Sequence, residues 1–329
     1  MSHQSVRGAL RDGIAQLERA QVPSAALAAE LLLMHALDRD RTWIYAHPER
    51  ELEPAAREQY FSLIASRASG VPTQHLTGHQ EFWGLDCEVT PDVLIPRPET
   101  EHVIEVALDR LVAQASACGV LSRQDQSAAQ DDHCPTRREN EFRIADVGTG
   151  SGCIAIALAH ELPAAQIVAT DISEAALAVA RRNAARHNVA DRIRFVECDL
   201  LEPFLQSPVC LRKHAGQASQ SQQFDLIASN PPYIARRDAA TLPREVREHE
   251  PAAALFGGET GTEMYEPLIA QAAALLKPSG ILVLELGHDS AQHVSRLLRA
   301  PEWDNVVITN DLAGIARVAS ARLCLSESR

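Results

Sequence analysis

The chain has no apolar run that approaches the roughly 20 residues a membrane-spanning helix requires. Its first residues, "MSHQSVRGALRDG", also lack the apolar core of a secretory signal peptide. We therefore expect a protein of the cytoplasm that has no membrane partner.

Cysteine is infrequent and shows no pairing pattern. The 7 cysteines are an odd number and include no C-x-x-C pair, so neither a disulfide framework nor a zinc ribbon is indicated. His75 and His79 have i, i+4 spacing, but Gly78 lies between them and no further ligand is near. The sequence predicts reduced thiols and no metal site.

Positive charge is in deficit. The chain carries 31 Lys plus Arg against 44 Asp plus Glu, which gives a formal net charge of -13. Proteins that bind nucleic acid depend on cationic side chains to neutralise phosphates. The balance argues against extended duplex binding, and we expect no direct nucleic-acid substrate.

What is present indicates two domains. The chain has 329 residues, of which 46% are apolar, enough to give each domain a core. From Val6 to about Ala68 apolar residues recur at helical spacing, which predicts a small all-helical domain over residues 1–74. Ser24 is the predicted N-cap of its second helical run. The apolar stripe of that run consists of Leu27, Leu31, Met34 and Leu37.

The remaining chain changes character twice. Residues 75–97 contain short aromatic and β-branched pieces separated by glycine and proline, which predicts a β-hairpin linker. Residues 98–329 alternate strand-like and helix-like segments, which predicts a parallel sheet covered by helices on both faces, with two final strands forming an antiparallel pair. Residues 114–141 and 206–223 are polar and aperiodic, and we interpret them as mobile insertions.

A glycine-rich corner follows the first strand of this alternation. In "DVGTGSG", Gly148, Gly150 and Gly152 stand where the strand turns into a helix, so the backbone can bend tightly and approach a ligand. The pattern is neither the G-x-G-x-x-G of dinucleotide enzymes nor a P-loop. Taken alone, it is also compatible with a tight turn that binds nothing.

Two carboxylates end the next two strands. Asp171 follows "QIVAT" and could accept both hydroxyls of a ribose, whereas Asp199 could receive the amino group of adenine, with Leu200 offering an apolar face. Each acid could instead be a helix N-cap, and Asp171 before "ISEAAL" is the clearest case. The coincidence of the glycine corner and both acids indicates a nucleoside pocket without a phosphate clamp.

A fourth strand end carries "SNPPYI". The two prolines of Asn230, Pro231, Pro232 and Tyr233 remove backbone donors and stiffen the chain, while their carbonyls stay free to accept hydrogen bonds. The tetrapeptide is therefore a rigid, acceptor-rich corner. An ordinary Pro-Pro turn is the alternative.

These motifs, in this order, resemble the seven-stranded S-adenosylmethionine-dependent methyltransferase fold, which is α/β and Rossmann-like. The runs "LIPRPETE", "HEPAAALFGGETGTEMYEPLI" and "DLAGIARV" further resemble the HemK-type protein-(glutamine-N5) methyltransferases that modify peptide chain release factors. The resemblance implies a helical substrate-binding domain over 1–74, the linker over 75–97 and a catalytic domain over 98–329. It implies methyl transfer from S-adenosyl-L-methionine to a glutamine of the Gly-Gly-Gln loop, in support of translation termination.

The same resemblance implies the residues of the site. Asn230, Pro231, Pro232 and Tyr233 would be catalytic, with the Asn230 side-chain oxygen and the Pro231 carbonyl accepting the two hydrogens of the substrate amide. Glu250 and His249 are candidate bases, although a salt bridge or loop anchor is the interpretation we favour. The residues expected to bind the cofactor are Gly148, Thr149, Gly150, Ser151, Gly152, Asp171, Asp199, Leu200 and Asn230.

Other functions share parts of this pattern. A ribosomal-protein glutamine methyltransferase also has a linker ending in I-P-R, and DNA or RNA amino-methyltransferases also use N-P-P-Y corners. The acidic balance and the lack of a basic recognition domain argue against nucleic acid. A silent binding protein would not need Asn230 and Tyr233. We expect a monomer whose partner is a release factor.

Overall fold

The computed structural model describes residues 4–117, 142–205 and 223–324. Most of the two predicted insertions, at 114–141 and 206–223, lies outside these residues.

The N-terminal part of the chain is helical. Its helices are α1 (Val6–Arg19), α2 (Ala25–Leu37), α3 (Arg41–Ala46), α4 (Pro54–Ala68) and α5 (Thr73–Thr77). They pack around one apolar core. The largest side chains buried in it are Leu17, Leu32, Leu33, Ile44, Tyr60 and Ile64. The helical spacing in the sequence therefore predicts the helices correctly.

The buried face of α2 differs from the stripe in the sequence. Leu27 and Leu31 are 50% and 36% exposed, whereas Leu32 and Leu33 are fully buried. Because nearly every residue of "AALAAELLLMHAL" is apolar, its sequence fits several faces, and contact with α1 and α4 selects one. Ser24 occupies the predicted N-cap position with a left-handed φ of 52°, although its side chain makes no capping hydrogen bond.

The linker contains the predicted hairpin. Strands β1 (His79–Phe82) and β2 (Leu85–Glu88) pair antiparallel around a two-residue turn. Trp83 and Gly84, the turn residues, both have positive φ, as in the turns that match the twist of a hairpin.

The α/β part follows. Its helices are α6 (Glu101–Ala117), α7 (Cys153–Glu161), α8 (Glu174–Arg186), α9 (Glu202–Leu205), α10 (Arg244–His249), α11 (Ala252–Leu255), α12 (Tyr265–Leu275) and α13 (Ala291–Leu297). Its strands are β3 (Arg143–Val147), β4 (Gln166–Asp171), β5 (Ile193–Glu197), β6 (Phe224–Ser229), β7 (Leu276–Glu285), β8 (Trp303–Asn310) and β9 (Ala316–Leu323). Helix α6 continues to Ala117, a few residues into the segment 114–141 that the sequence led us to interpret as an insertion.

The seven strands form one mixed sheet in the order β5-β4-β3-β6-β7-β9-β8. The first five in that order are parallel, and β9 pairs antiparallel with both β7 and β8. The chain order reverses between β3 and β6, and the crevice beyond the carboxyl ends of strands at such a reversal is where open α/β sheets bind ligands. The glycine corner and the Asn230 corner therefore leave adjacent strands.

Two apolar cores cover the two faces of the sheet. One contains residues of α6, α7 and α8, and the other contains residues of α12 and α13. Every residue of β6 is buried, as expected for a central strand covered on both faces. Because both cores fix the positions of the strands, the loops that follow the parallel strands meet at the same edge of the sheet.

A buried ion pair joins the helical part to the α/β part. Arg67 of α4, only 5% exposed, pairs with Glu245 of α10 and also donates to the carbonyl of Val71 at 3.2 Å. Charges are left buried in this way only when they are paired, because desolvation is otherwise too costly.

Among residues 4–117, 142–205 and 223–324, no helix combines the length and the apolar character needed to cross a membrane.

The hairpin is fastened to the sheet domain by one side chain. The Asn183 amide on α8 accepts from the backbone N–H of Glu88 at 2.7 Å and donates to the carbonyls of Glu88 and Ser151, both at 2.9 Å. Asn183 is fully buried, so it links β2 to the glycine corner in the absence of competing water.

We predict that Asn183→Ala lowers the free energy of unfolding, because each buried polar group left unpaired costs about 1–3 kcal/mol. Urea denaturation followed by circular dichroism would measure the loss. Gln292→Ala, at an exposed site on α13, is the control and should stay within about 0.5 kcal/mol of wild type. An Asn183→Ala protein as stable as this control would contradict the fastening role.

Candidate active site

The glycine corner is held against the end of β4. The backbone N–H groups of Gly148 and Thr149 both donate to the carbonyl of Thr170, at 2.9 and 2.8 Å. Gly148, Gly150 and Gly152 all have positive φ, a conformation that glycine adopts without strain. The predicted tight strand-to-helix turn is thus present.

The three glycines serve two purposes. A Cβ on Gly148 or Gly150 would meet no atom within 4 Å, so both face open space. A Cβ on Gly152 would lie 3.1 Å from Ala180 and from Ile156, so this glycine allows α7 and α8 to approach. The open side of Gly148 and Gly150 is where a ligand could approach the backbone, as the cofactor prediction requires.

A buried carboxyl supports the corner from below. Asp146, at 0% exposure, accepts from the Thr149 hydroxyl at 2.6 Å and from the N–H of Ala155 at 3.0 Å. Burial raises the pKa of Asp146 from 3.8 to about 7, because the apolar surroundings disfavour the charged form. The sequence analysis missed this residue, although its position just before the glycines was a signal.

Asp171 stands at the end of β4 beside the corner. One carboxylate oxygen accepts from the N–H of Gly150 at 2.9 Å and the other from the N–H of Ser173 at 3.0 Å. The cap of α8 is Ser173, whose hydroxyl accepts from Ala176, so Asp171 is not the N-cap. Burial raises the pKa of Asp171. Each oxygen keeps a lone pair for a further donor, such as a ribose hydroxyl.

Asp199 and Leu200 follow the next strand. Cys198, directly after β5, donates its N–H to the carbonyl of Asp171 at 2.9 Å, which joins the two strand ends. Asp199 is exposed, and Leu200 is half-buried with a left-handed φ of 48°. The structure therefore brings the glycine corner and both predicted acids to one edge of the sheet. Thr149 and Ser151 lie buried within the corner itself.

The Asn230 corner emerges from β6. The Asn230 side-chain NH₂ donates to the hydroxyl of Thr100 at 3.1 Å, which turns its oxygen the other way. No donor among the described residues is bonded to that oxygen or to the carbonyl of Pro231. Two acceptors are thus available at the predicted place. The role of Thr100, inside "RPETE", was not foreseen.

A second glycine loop presses on this corner. Ile234 donates its N–H to Leu255 at 3.0 Å, and Gly257 donates its N–H back to Ile234 at 3.1 Å. A Cβ on Gly257 would come within 2.2 Å of the carbonyl oxygen of Pro232, so only glycine fits. The run "LFGGETG" therefore holds the proline pair in place, a function that its spacing in the sequence did not reveal.

Tyr233 is half-buried, and both its hydroxyl and its ring are held by neighbouring residues. Its hydroxyl donates to the Glu285 carboxyl at 3.2 Å, and its ring lies so close to Gly287 that a Cβ there would approach it to 2.9 Å. Burial raises the pKa of Tyr233. Glu285, at the end of β7, was missed by the sequence analysis, although an acid closing the apolar run "ILVLELG" was a visible signal.

Glu250 and His249 were the two candidate general bases, and the contacts of Glu250 indicate a structural role instead. Glu250 forms a buried ion pair with Arg97 at 2.5 Å and accepts from the N–H of Ile95 at 3.3 Å, which makes it an anchor for the linker. His249 is half-buried. Burial, followed by the electrostatic effects of nearby His249 and Arg97, lowers the pKa of His75. In the part of the chain that the structure describes, no group of three or more His, Cys, Asp or Glu side chains could hold a metal ion.

Comparison with known proteins defines the class. A family model of the PrmC N-terminal domain matches residues 8–78, and a model of a methyltransferase domain matches residues 138–309. Among solved structures, the hMettl16 catalytic domain in complex with MAT2A 3'UTR hairpin 6 is similar with a TM-score of 0.51 and 18% identity, covering 81% of this chain and 84% of that one. The likeness concerns the fold. The molecule is a methyltransferase of the seven-stranded, Rossmann-like class, and the predicted fold is confirmed.

Full-length relatives then narrow the class. A release factor glutamine methyltransferase of Koribacter versatilis (strain Ellin345) is 38% identical over 318 residues, covering 97% of this chain and 98% of the relative. One of Moorella thermoacetica is 40% identical over 311 residues, covering 94% and 95%. This chain belongs to the release factor glutamine methyltransferase family, as the sequence motifs predicted.

Asp146→Asn should change how stability depends on pH. The folded protein keeps a proton on Asp146 that the unfolded chain releases above about pH 4, so this carboxyl makes folding less favourable as pH rises to about 7. We therefore expect the free energy of unfolding of Asp146→Asn, relative to that of wild type, to be higher at about pH 8 than at about pH 5. Denaturant unfolding at the two pH values would measure this difference.

Asp109→Asn controls for the loss of one carboxyl at an exposed position. If the stability difference between Asp146→Asn and wild type were the same at both pH values, Asp146 would not carry the raised pKa.

Proposed function

We propose that this protein transfers a methyl group from S-adenosyl-L-methionine to the side-chain amide nitrogen, N5, of a glutamine in peptide chain release factors. The target is the glutamine of their Gly-Gly-Gln loop, and the modification supports translation termination. The observation that carries the chemistry is the orientation of Asn230, whose NH₂ is bonded to Thr100 so that its oxygen remains available. The family of the chain selects the substrate.

The strand-end residues fit the cofactor. The open space beside Gly148 and Gly150 would admit S-adenosyl-L-methionine close to the backbone. The carboxylate of Asp171 would accept hydrogen bonds from the ribose hydroxyls. Asp199 would accept from the adenine amino group, and Leu200 would pack against the adenine ring. Thr149, Ser151 and Gly152 shape the turn. When bound, S-adenosyl-L-methionine supplies a methyl group on a positively charged sulfur, which a nitrogen lone pair can attack.

The two hydrogen-bond acceptors of the Asn230 corner would make the amide nitrogen of the substrate glutamine a better nucleophile. An amide nitrogen is a poor nucleophile because its lone pair is delocalised into the carbonyl. The Asn230 oxygen and the Pro231 carbonyl would accept the two amide hydrogens, orient the NH₂ group and stabilise the positive charge that grows on nitrogen. In the transfer, the bond between sulfur and the methyl carbon would break, with its electron pair staying on sulfur, as the nitrogen–carbon bond forms, and the nitrogen would then lose one proton to water.

The remaining residues keep this geometry rigid. Pro232 is held by the contact with Gly257, and Tyr233 is held by Glu285, so the acceptors need no rearrangement when the substrate arrives. We propose that the Tyr233 ring packs on the flat amide and excludes water, which strengthens both hydrogen bonds.

The domains would divide the work. We propose that residues 1–74 and the linker 75–97 contribute to substrate binding, while residues 98–329 carry the catalysis. The protein is expected to act in the cytoplasm as a monomer, with no membrane partner. A ribosomal-protein glutamine or a base of DNA or RNA would be the competing substrates.

A matched pair of variants tests the cofactor site. Gly148 and Gly84 have φ of 72° and 71°, and a Cβ on either would meet no atom within 4 Å. Gly148→Ala and Gly84→Ala should therefore lose similar stability, about 1–2 kcal/mol, from backbone strain. Only Gly148→Ala should weaken binding of S-adenosyl-L-methionine, by about tenfold or more, in calorimetric titration. Equal affinities in the two variants would remove Gly148 from the site.

The reaction is tested with methyl-labelled S-adenosyl-L-methionine and three acceptors, namely a release factor, ribosomal protein and nucleic acid. Label should enter only the release factor, and peptide mass spectrometry should place one methyl group on the loop glutamine. Asn230→Ala should reduce kcat by about 100-fold or more while the cofactor Kd stays near wild type. Transfer to nucleic acid alone, or unchanged turnover in Asn230→Ala, would refute the proposal.

A further inference from the structure

Two leucines of α2 remain on the surface although they belong to an apolar stripe in the sequence. Leu27 and Leu31 lie about one helical turn apart and are 50% and 36% exposed. Neither is part of the apolar core of the helical part. Scattered apolar side chains are common on protein surfaces, but neighbouring ones that line a concavity indicate a binding site.

Both leucines line a cleft between the helical part and the α/β part. The cleft has a volume of about 250 Å³, whereas pockets for drug-sized molecules typically have about 300–1,000 Å³. Its size therefore suits one or two amino-acid side chains rather than a whole cofactor. The other apolar residues that line it are Pro23, Ala28, Pro72, Ile95 and Val246.

The charged residues of the cleft are paired with one another. Arg67 of α4 pairs with Glu245, and Arg97 of the linker pairs with Glu250 at 2.5 Å. All four side chains line the cleft, so its charges cancel. A charged ligand would meet no excess of the opposite sign there, whereas an apolar side chain would gain by leaving water. The cleft therefore favours an uncharged, apolar occupant.

One donor in the cleft has no partner. The two terminal nitrogens of Arg67 donate to the carbonyl of Val71 and to Glu245, but its Nε is bonded to no acceptor among the described residues. The Arg67 side chain is 7% exposed, and an unpaired donor in such a place costs free energy. A polypeptide carries an acceptor, the main-chain carbonyl, at every residue. An apolar pocket beside one unpaired donor thus fits a segment of polypeptide.

The cleft adjoins the Asn230 corner. The carbonyl of Arg97 accepts from the N–H of Thr100 at 3.0 Å, and a turn closed in this way keeps the two Cα atoms within about 7 Å. Thr100 in turn accepts from the Asn230 NH₂. A protein that places a glutamine at Asn230 would therefore have a neighbouring segment within reach of the cleft.

We propose that this cleft is a subsite for the protein substrate and receives an apolar side chain from a segment next to the target loop of the release factor. This inference rests on the proposed methyl transfer to release factors. Arg67 would donate its Nε–H to a main-chain carbonyl of the same segment. Because the cleft lies beside the Asn230 corner rather than at it, its contacts are the same before and during the transfer, so they should lower KM and leave kcat unchanged.

The test measures methyl transfer to intact release factor, with S-adenosyl-L-methionine saturating, in wild type and in the double variant Leu27→Ala/Leu31→Ala. KM for the release factor should rise about tenfold or more, because two apolar contacts are lost, while kcat stays at the wild-type value. Alanine favours helix and both sites are on the surface, so α2 should remain folded, which circular dichroism would verify. An unchanged KM would overturn the inference.

Single substitutions at Leu27 test the chemistry of the occupant. Leu27→Met keeps an apolar side chain of similar volume and should bind the release factor nearly as well as wild type. Leu27→Glu, which also suits a helix, would place an unpaired charge against the bound side chain and should raise KM about tenfold or more. If Leu27→Glu and Leu27→Met had the same KM, the cleft would not select an apolar group and the inference would fail.

Val112→Ala is the matched control. Val112 is 59% exposed on α6 and does not line the cleft, so this variant also removes exposed apolar surface from a helix. Its KM for the release factor should equal that of wild type. A rise as large as in the double variant would show a non-specific effect and refute the subsite.

Direct binding separates this inference from the proposed function. Calorimetric titration with the release factor needs no methyl transfer, and the Kd should weaken about tenfold in Leu27→Ala/Leu31→Ala. A wild type that transfers no methyl group to the release factor refutes the proposed function. A wild type that transfers it, with KM and Kd matched by the double variant, refutes only this inference.

Discussion

The parallel pairing of β3 with β6 is the constraint on which the site depends. Val147 and Ser229 are partners in this register, and the Ser229 hydroxyl closes the pair by donating to the Val147 carbonyl at 2.7 Å. The chain order of the sheet reverses here, so the two loops that follow have no strand between them. A shift of one residue would turn the side chains of one strand to the opposite face and move the glycine corner out of line with Asn230. This register therefore brings the predicted cofactor corner and the predicted substrate corner next to each other.

Buried polar groups behind the two loops hold the loop residues in defined orientations. Asp146 fixes Thr149 under the glycine corner, and Glu285 fixes Tyr233 behind the proline pair. Both carboxyls sit at the carboxyl ends of strands, and both have pKa values raised to about 7 by burial. Such groups reduce the stability of the fold at neutral pH, since the charged form is poorly solvated. The benefit is that the reacting loops are held by bonds of defined direction rather than by apolar contact alone.

The sequence reveals those parts of the site that are local in the chain. Glycines at a strand end, an acid closing the next strand and two adjacent prolines each act within a few residues, so their spacing carries the information. Thr100 and Asn230 lie 130 residues apart, and Tyr233 and Glu285 lie 52 apart, so neither contact leaves a periodic trace. The buried face of α2 was ambiguous for another reason, because almost every residue in that helix is apolar. Only packing against α1 and α4 distinguishes its faces.

The three hydrogen bonds of Asn183 make the hairpin part of the α/β part of the molecule rather than only a linker. They attach Glu88 to α8 and to the carbonyl of Ser151, so β2 is part of the wall that supports the glycine corner. Arg182 adds an ion pair to the Glu88 side chain, and the Cys87 side chain lies in the same core as α6 and α7. The hairpin therefore belongs structurally to the α/β part, and the connection toward the helical part lies before His79. A protease that separated the helical part from the α/β part would have to cut the chain before His79 to leave the support of the glycine corner intact.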